Sequence, residues 1–305
     1  MAHGVQDKVI VITGAGRGIG RAIALYAASQ GAKVVVNDLG AAPDGGGHDA
    51  SPADETVAAI RSAGGEAVAS TDSIADGPGA KRIIQTALDT YGDMDCVINN
   101  AGILRDKIFH KMTEDDWRTV IDVNLTGYYN VSRAAADHFK ERQKGSYLHF
   151  TSPAALIGSV GQANYAAAKM GVVGLSTSIA FDMQRYNVRS NCVAPSAWSR
   201  LLAGIPVRNK EEEERNARWQ RTMSAEKIAP LCVFLASDAA REITGQVFKV
   251  RGNEIFLMSQ PRPIRSLHKE DGWTLEALDQ RLIPAFRRSF TPLESHLEVF
   301  DWEPV

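Results

Sequence analysis

Ser152, Tyr165 and Lys169 are the residues whose types and spacing can do acid–base chemistry in this chain. Tyr165 and Lys169 are four residues apart, so on a helix they share a face. Ser152 precedes a loop with Pro153, Gly158 and Gly161, which can fold it back over that helix. A free tyrosine has a pKa of about 10, too high for a base near neutral pH. An ammonium about 5 Å away, at an effective dielectric of about 20, favours the phenolate by roughly 3 kcal/mol. That is roughly two pKa units. Tyr165 then serves as a general base toward an alcohol or a general acid toward a carbonyl. Ser152 is placed to hydrogen-bond the substrate oxygen, where charge develops. The plain alternative is a helix-face pair and a strand-end serine. Asn124, in "DVNLTG", falls inside a helical stretch where asparagine is a mediocre helix former. It either caps or faces solvent, or it forms a polar relay to Lys169.

A second group of residues is built to hold phosphate. "TGAGRGIG" follows an apolar run and opens a helical pattern. Gly14, Gly18 and Gly20 let the backbone turn sharply and approach a pyrophosphate at a helix N-terminus. Asp38 ends the next apolar run, "VVVNDL". A carboxylate there accepts both hydroxyls of an adenosine ribose and repels a 2′-phosphate, which favours NAD over NADP. Arg17 is the complication, since it can reach toward a 2′-phosphate.

These residues need elements to position them. Short β-branched runs alternate with helical patterns along the first 250 residues. The strand candidates are "KVIVITGA", "AKVVVNDL", "EAVAST", "DMDCVINNA", "GSYLHFTS", "VRSNCVAP" and "QVFKVRGN". Helices fall between them, including one long stretch over 113–143, where Thr113 is an N-cap candidate and Asp116 approximates the capping-box partner. A further helix over 224–238 has Pro230 as a possible bend. This rhythm predicts an α/β fold: a Rossmann-like, doubly wound, seven-stranded parallel sheet with helices on both faces. Ligands of such sheets bind at the carboxyl ends of the strands. Those ends carry Gly14 to Gly20, Asp38, Asp72, Asn99, Ser152 and Pro195. Residues 1–250 are read as the cofactor-binding and catalytic domain, with a lid at about 196–225. Residues 251–305 form a C-terminal extension, with a helix in "TLEALDQRLIPAF", expected to pack on the same domain.

The remaining composition narrows the function class. The formal net charge of the 305 residues is −2, so no nucleic acid or anionic membrane partner is expected. Cys96, Cys192 and Cys232 are scattered among apolar neighbours and read as buried core thiols, not as a disulfide or zinc pattern. No metal site is expected. No signal-peptide pattern or membrane-length apolar run is visible, and a cytoplasmic location is expected.

With these motifs assembled, the chain resembles the short-chain dehydrogenase/reductase family over about residues 5–250. The markers are "TGAGRGIG", "NNAG" at Asn99–Gly102, Asn124, and Ser152 with "YAAAK" at Tyr165–Lys169. The resemblance implies that Tyr165 is the acid/base and that Ser152 orients substrate. Lys169 serves both Tyr165 and the nicotinamide ribose, and Asn124 holds a water. It implies cofactor contacts at Gly14, Arg17, Gly18, Ile19, Gly20, Asp38, Asp72, Ser73, Asn99, Ala101, Gly102, Tyr165, Lys169 and Pro195. The stretches "VVVNDLG", "NNAGILRDKIFHKMTEDDW" and "GQANYAAAKMG" resemble a narrower branch. That branch comprises the (3R)-hydroxyacyl-CoA dehydrogenase units of peroxisomal multifunctional enzymes and their bacterial stand-alone relatives. It implies NAD-dependent interconversion of a (3R)-3-hydroxyacyl-CoA and a 3-ketoacyl-CoA, with 17β-hydroxysteroids and other bulky secondary alcohols as alternatives. Hydratase and carrier domains like those of the multifunctional enzymes are not expected within these 305 residues.

"APSAWSR" departs from the family's Pro-Gly after the sixth strand. Trp198 either shapes an apolar pocket or packs under the lid. Arg105, Lys107 and Arg200 are candidates for holding a CoA ester, or are solvated surface. The apolar, small-residue helix "YAAAKMGVVGLSTSIAF" reads as buried all round, partly against another subunit. A homodimer or homotetramer through about 115–140 and 163–185 is therefore expected. A non-catalytic NAD-binding sensor or scaffold is the reading from a different class, and members of that kind typically lack the tyrosine or the lysine.

Overall fold

The first strand explains the layering. In β1 (Val9–Thr13), Val9 and Val11 join one apolar cluster while Ile10 and Ile12 join another. Successive strand residues point to opposite faces, so both faces of this sheet need cover. Each fully buried residue of this size contributes roughly 1.5–3 kcal/mol, which forbids leaving a face open. The structure is a computed structural model, and it describes residues 4–197 and 209–305. Trp198 and Arg200 lie outside the described residues, as does much of the expected lid.

Among the described residues the strands form one eight-stranded sheet in the order β3-β2-β1-β4-β5-β6-β7-β8. The other parallel strands are β2 (Lys33–Asn37), β3 (Glu66–Ser70), β4 (Cys96–Asn99), β5 (Gly145–Phe150), β6 (Val188–Ser196) and β7 (Val247–Arg251). The chain reverses direction of winding between β1 and β4, which opens a crevice at the carboxyl ends of those two strands. Helices α1 (Gly18–Ser29) and α2 (Ser51–Ser62) cover the face reached by Ile10 and Ile12. Helices α3 (Gly77–Tyr91), α4 (Glu114–Ile121), α5 (Gly127–Arg142), α6 (Pro153–Leu156) and α7 (Ala163–Met183) follow in chain order. Of these, α3, α5 and α7 cover the face reached by Val9 and Val11.

The seven parallel strands are as expected; one addition and one correction follow. The sheet has an eighth strand, β8 (Glu254–Leu257), antiparallel to β7 and joined to it by a tight turn at Gly252 and Asn253. Gly252 has φ +60, which an L side chain adopts with strain, so a glycine turn inside "RGNEIFL" was the signal for a hairpin. The helix expected over 224–238 is not one bent rod. It divides into a short 3-10 turn and α9 (Ala229–Ala236), with Pro230 in the first turn of α9. A proline is tolerated there because its missing N–H would be unpaired anyway. Between β6 and α9 lies α8 (Lys210–Thr222).

The stretch over 113–143 is helical throughout but not uniformly α-helical. Thr113 and Asp116 form a complete capping box at its start. Asp122–Thr126 then form a π-turn before α5 resumes. Beyond β8, α10 (Leu275–Phe286) has no buried residue, whereas the chain end is tied to the sheet. Phe256, Phe300 and Trp302 pack together, and Asn253 donates its backbone N–H to the Val305 carbonyl. The short α11 (His296–Val299) lies between them. Its His296 backbone N–H donates to the Gly158 carbonyl at 3.0 Å.

Candidate active site

The glycine loop is a backbone device. It runs from the end of β1 into α1, whose N-cap residue Arg17 makes no side-chain cap, so the first-turn N–H groups stay available to an anion. Gly20 packs so closely that a methyl group there would lie 2.1 Å from the Gly14 carbonyl oxygen. Gly14 (φ +64) is pressed against Ala101, with 2.7 Å left for a methyl group. Gly18 (φ +54) has nothing within 4 Å on its side-chain side, so the loop is open where a pyrophosphate approaches. This tight backbone with one open side fits a dinucleotide phosphate. Ile19 sits in the first turn of α1.

Thr13 and Asn100 hold this loop, and neither was singled out from the sequence. Asn100 Nδ2 donates to the Thr13 and Gly14 carbonyls, both at 3.0 Å. Thr13 Oγ1 accepts from the Asn100 and Ala101 N–H groups. The first asparagine of "NNAG" behaves differently. Asn99 is fully buried, and its Nδ2 faces Ser132 Oγ and His149 Nδ1. Alternation along β4 turns the Asn99 side chain inward and leaves the Asn100 side chain to grip the loop.

Asp38 is fixed at the end of β2. Its two carboxylate oxygens accept N–H groups of Gly16 (2.8 Å) and Gly40 (2.7 Å). Arg17 pairs at 3.7 Å with Asp49, in the glycine-rich loop of residues 40–52. Asp72 pairs with Arg82 at the end of β3, and Ser73 Oγ caps Ala75 N–H. Pro195 lies near the carboxyl end of β6, partly exposed.

Ala101 and Gly102 connect this end to the region of Asn124, Ser152, Tyr165 and Lys169. A methyl group on Gly102 would lie 2.6 Å from Asn124 Oδ1 and 3.7 Å from Lys169 Nζ. Asn124 is buried inside the π-turn, where its Nδ2 donates to the Ile103 and Val120 carbonyls at 3.0 Å. Its Oδ1 has no protein partner. The solvent-facing and capping alternatives for Asn124 are therefore ruled out. π-Turns recur at functional sites because the wider turn frees carbonyl groups and re-aims side chains.

Ser152 and Tyr165 come together. Ser152 caps α6, accepting Ala154 N–H at 3.2 Å. Its hydroxyl lies beside the Tyr165 phenol. Burial pushes that phenol up to about 12, Ser152 pulls it back, and Asp106 pushes it up. Lys169 is 2% exposed, and burial pulls its ammonium down to about 7. Its Nζ lies 5.7 Å from the Tyr165 ring centre but donates to Tyr128 Oη at 2.8 Å. The expected lowering of the Tyr165 pKa by Lys169 is thus corrected for the chain without cofactor. Desolvation, which disfavours the charged form of each, is the largest influence on both groups. Tyr128 was missed as well; its place four residues after Asn124, on the same helical face, was the available signal.

Of the basic residues considered for a CoA ester, Arg105 is engaged by the Asp44 carbonyl and the Asp115 carboxylate. Lys107 is exposed, and its backbone pairs with Gly161 and Gln162 beside the Ser152 loop. All three cysteines are free and buried, with burial raising each thiol. Among the described residues no group of acidic, histidine or cysteine side chains is placed to hold a metal. No described helix is long and apolar enough to cross a membrane.

A model of short chain dehydrogenases matches residues 8–200. The chain belongs to the short-chain dehydrogenase/reductase family. It is 44% identical over 252 residues to a putative short-chain type dehydrogenase/reductase, Rv0148, of Mycobacterium tuberculosis, covering 83% of this chain and 85% of that protein. It is 38% identical over 265 residues to the hydroxyacyl-CoA dehydrogenase ChsB1 of the same organism, covering 84% and 81%. Peroxisomal multifunctional enzyme type 2 of Mus musculus is 41% identical over 245 residues, which are 80% of this chain but only 32% of that protein. Among solved structures, a short chain dehydrogenase from Mycobacterium avium superposes with TM-score 0.83 at 37% identity, covering 96% and 99%. A 7α-hydroxysteroid dehydrogenase complexed with NADH and 7-oxo glycochenodeoxycholic acid gives TM-score 0.72 at 30% identity, covering 82% and 95%.

Proposed function

We propose that this family member is an NAD-dependent oxidoreductase that interconverts a (3R)-3-hydroxyacyl-CoA and the 3-ketoacyl-CoA. The observation that carries the reading is the contact path Gly14–Ala101–Gly102–Asn124–Lys169, which joins the phosphate loop to the Ser152–Tyr165 pair. When bound, the nicotinamide supplies the hydride acceptor or donor. Tyr165 accepts the carbinol proton in oxidation and returns it in reduction. Ser152 donates its hydroxyl hydrogen to the reacting oxygen. Lys169 and the cationic nicotinamide ring favour the Tyr165 phenolate, offsetting the burial that raises it. Asn124 Oδ1 is free to accept from a water beside Lys169.

Two features favour NAD over NADP. Asp38 is held rigidly where a ribose diol would meet it, and Arg17 is drawn toward Asp49 instead of standing alone. The acyl-CoA substrate is supported by the relatives ChsB1 and the multifunctional enzyme units. The 7α-hydroxysteroid dehydrogenase neighbour supports a second reading, a hydroxysteroid or other bulky secondary alcohol. The exposed residues Ala167, Met170, Gly174, Ser178 and Phe181 make one stripe along α7. Together with exposed Trp117 and Tyr129, they support a homodimer or homotetramer through these helices. Free buried cysteines support a reducing, cytoplasmic setting.

NADH formation by the purified protein tests the reading. The panel is a (3R)-hydroxyacyl-CoA, its 3S isomer, a 17β-hydroxysteroid and a simple aryl carbinol, with NADP as control. Turnover on the 3R thioester with NAD is the expected result. Turnover on the steroid or carbinol alone would retain the chemistry and overturn the substrate, while faster turnover with NADP would overturn the cofactor.

A further inference from the structure

Tyr128 stands outside the four residues the mechanism uses, yet it makes the hydrogen bond that Lys169 Nζ donates. It projects from the first turn of α5, just after the π-turn that carries Asn124. Its side chain is fully buried, and Lys169 Nζ lies 4.3 Å from its ring centre as well as 2.8 Å from its oxygen. The ring is stacked on His149 of β5, with centroids 6.2 Å apart, and His149 is stacked in turn on Tyr147. The titratable groups facing this pair are Tyr165 from α7, His149 from β5 and Cys192 from β6. Burial holds all three in their neutral forms, pushing Tyr165 and Cys192 up and drawing His149 down to about 3. No carboxylate is among them, so a protonated Lys169 has no counter-ion in this group.

A phenol is suited to such a place because it both donates and accepts. It accepts from an ammonium and donates to an amine, so it satisfies a lysine in either protonation state. Burial keeps the Tyr128 phenol neutral, which preserves both capacities. We infer that Tyr128 is a positioning residue for the proposed reaction, holding Lys169 in place by one hydrogen bond that reverses direction as Lys169 gains or loses its proton. The inference rests on the functional reading above only for its effect on turnover; the Tyr128–Lys169 bond itself does not.

The test is Tyr128→Phe, which keeps the buried ring and removes only the hydroxyl. Without that acceptor the ammonium is disfavoured, so the Lys169 titration, followed by ¹³Cε-lysine NMR with Lys169→Met as assignment control, falls by about one pH unit. The Tyr165 phenolate then loses support, and the rise of kcat with pH in alcohol oxidation moves upward. Turnover near neutral pH drops by about tenfold and recovers at alkaline pH. An unmoved Lys169 titration overturns the inference, as does a loss of kcat by the same factor at every pH, which marks simple packing. If the variant does not fold, the wild-type titration decides, since a Lys169 with the ordinary lysine value leaves no proton change for Tyr128 to accommodate. The titration needs neither cofactor nor substrate. Absence of NAD-dependent turnover in the wild type would therefore overturn the functional reading while the NMR result still judges Tyr128.

Discussion

The two ends of the site are built from different materials. The proposed phosphate end is backbone: Gly14, Gly18 and Gly20, clamped by Thr13 and Asn100 at the strand ends of β1 and β4. The proposed proton-transfer end is side chain: Ser152, Tyr165, Lys169, Asn124 and Tyr128 come from three helical segments and a strand end, and their titratable members are shifted by burial. A backbone cradle tolerates no added atoms and carries no titration. A buried side-chain cluster tolerates isosteric changes sterically but responds to charge and pH. Mutations at the first end should therefore act through fit, and at the second through protonation.

The largest effect that sharpens this contrast is Tyr165→Phe. Removing the general acid/base should lower turnover by about a thousandfold while NADH binding, read by fluorescence, stays within about twofold. Retained turnover would break the assignment of Tyr165. Next is Gly20→Ala at the other end, where the added methyl meets the Gly14 carbonyl at 2.1 Å. Overpacking of this kind costs about 1–3 kcal/mol, and NAD affinity measured by calorimetry should fall by about tenfold or more. Normal NAD affinity in this variant would show that the loop is not the cradle. Asp38→Ala should weaken NAD by about tenfold, as expected for about 1.4 kcal/mol, and raise relative use of NADP.

The smallest effect is one of stability. Burial lowers the folded-state pKa of Lys169 to about 7, below the 10.5 of an unperturbed lysine. Between these values the unfolded chain binds the extra proton, so the wild type loses stability as pH falls toward 7. Lys169→Met removes that burden. It should melt about 2–5 °C above wild type at or below about pH 7, and the gap should close as pH approaches 10. A variant that melts lower than wild type at pH 7 would show that the Tyr128 bond outweighs the burial.

How much was legible in the sequence follows the same division. "TGAGRGIG" after a β-branched run, and Asp38 ending the next, are contiguous signals, and the structure places them together at neighbouring strand ends. Tyr165 and Lys169 were legible because one helix sets their relation. The eighth strand was obscured because β8 exposes Ile255 and Leu257, leaving little burial pattern beyond the glycine turn. Asn99 and Asn100 look alike in sequence, while strand alternation sends one side chain inward and the other to the loop. Tyr128 was missed because its place four residues after Asn124 does not by itself mark it as the partner of a lysine 41 residues away.

By itself, then, the amino-acid order determined the parallel α/β sheet, the glycine loop and the members of the Ser–Tyr–Lys set. Periodicity, turn chemistry and helical spacing are local properties and are written along the chain. Only the tertiary structure decided which groups are desolvated and what each one faces. It pulled Arg17 toward Asp49, buried Lys169 against Tyr128, and left Asn124 Oδ1 without a partner in the π-turn. Charge in a protein depends on the dielectric and the neighbours around it, and those exist only once distant segments have packed.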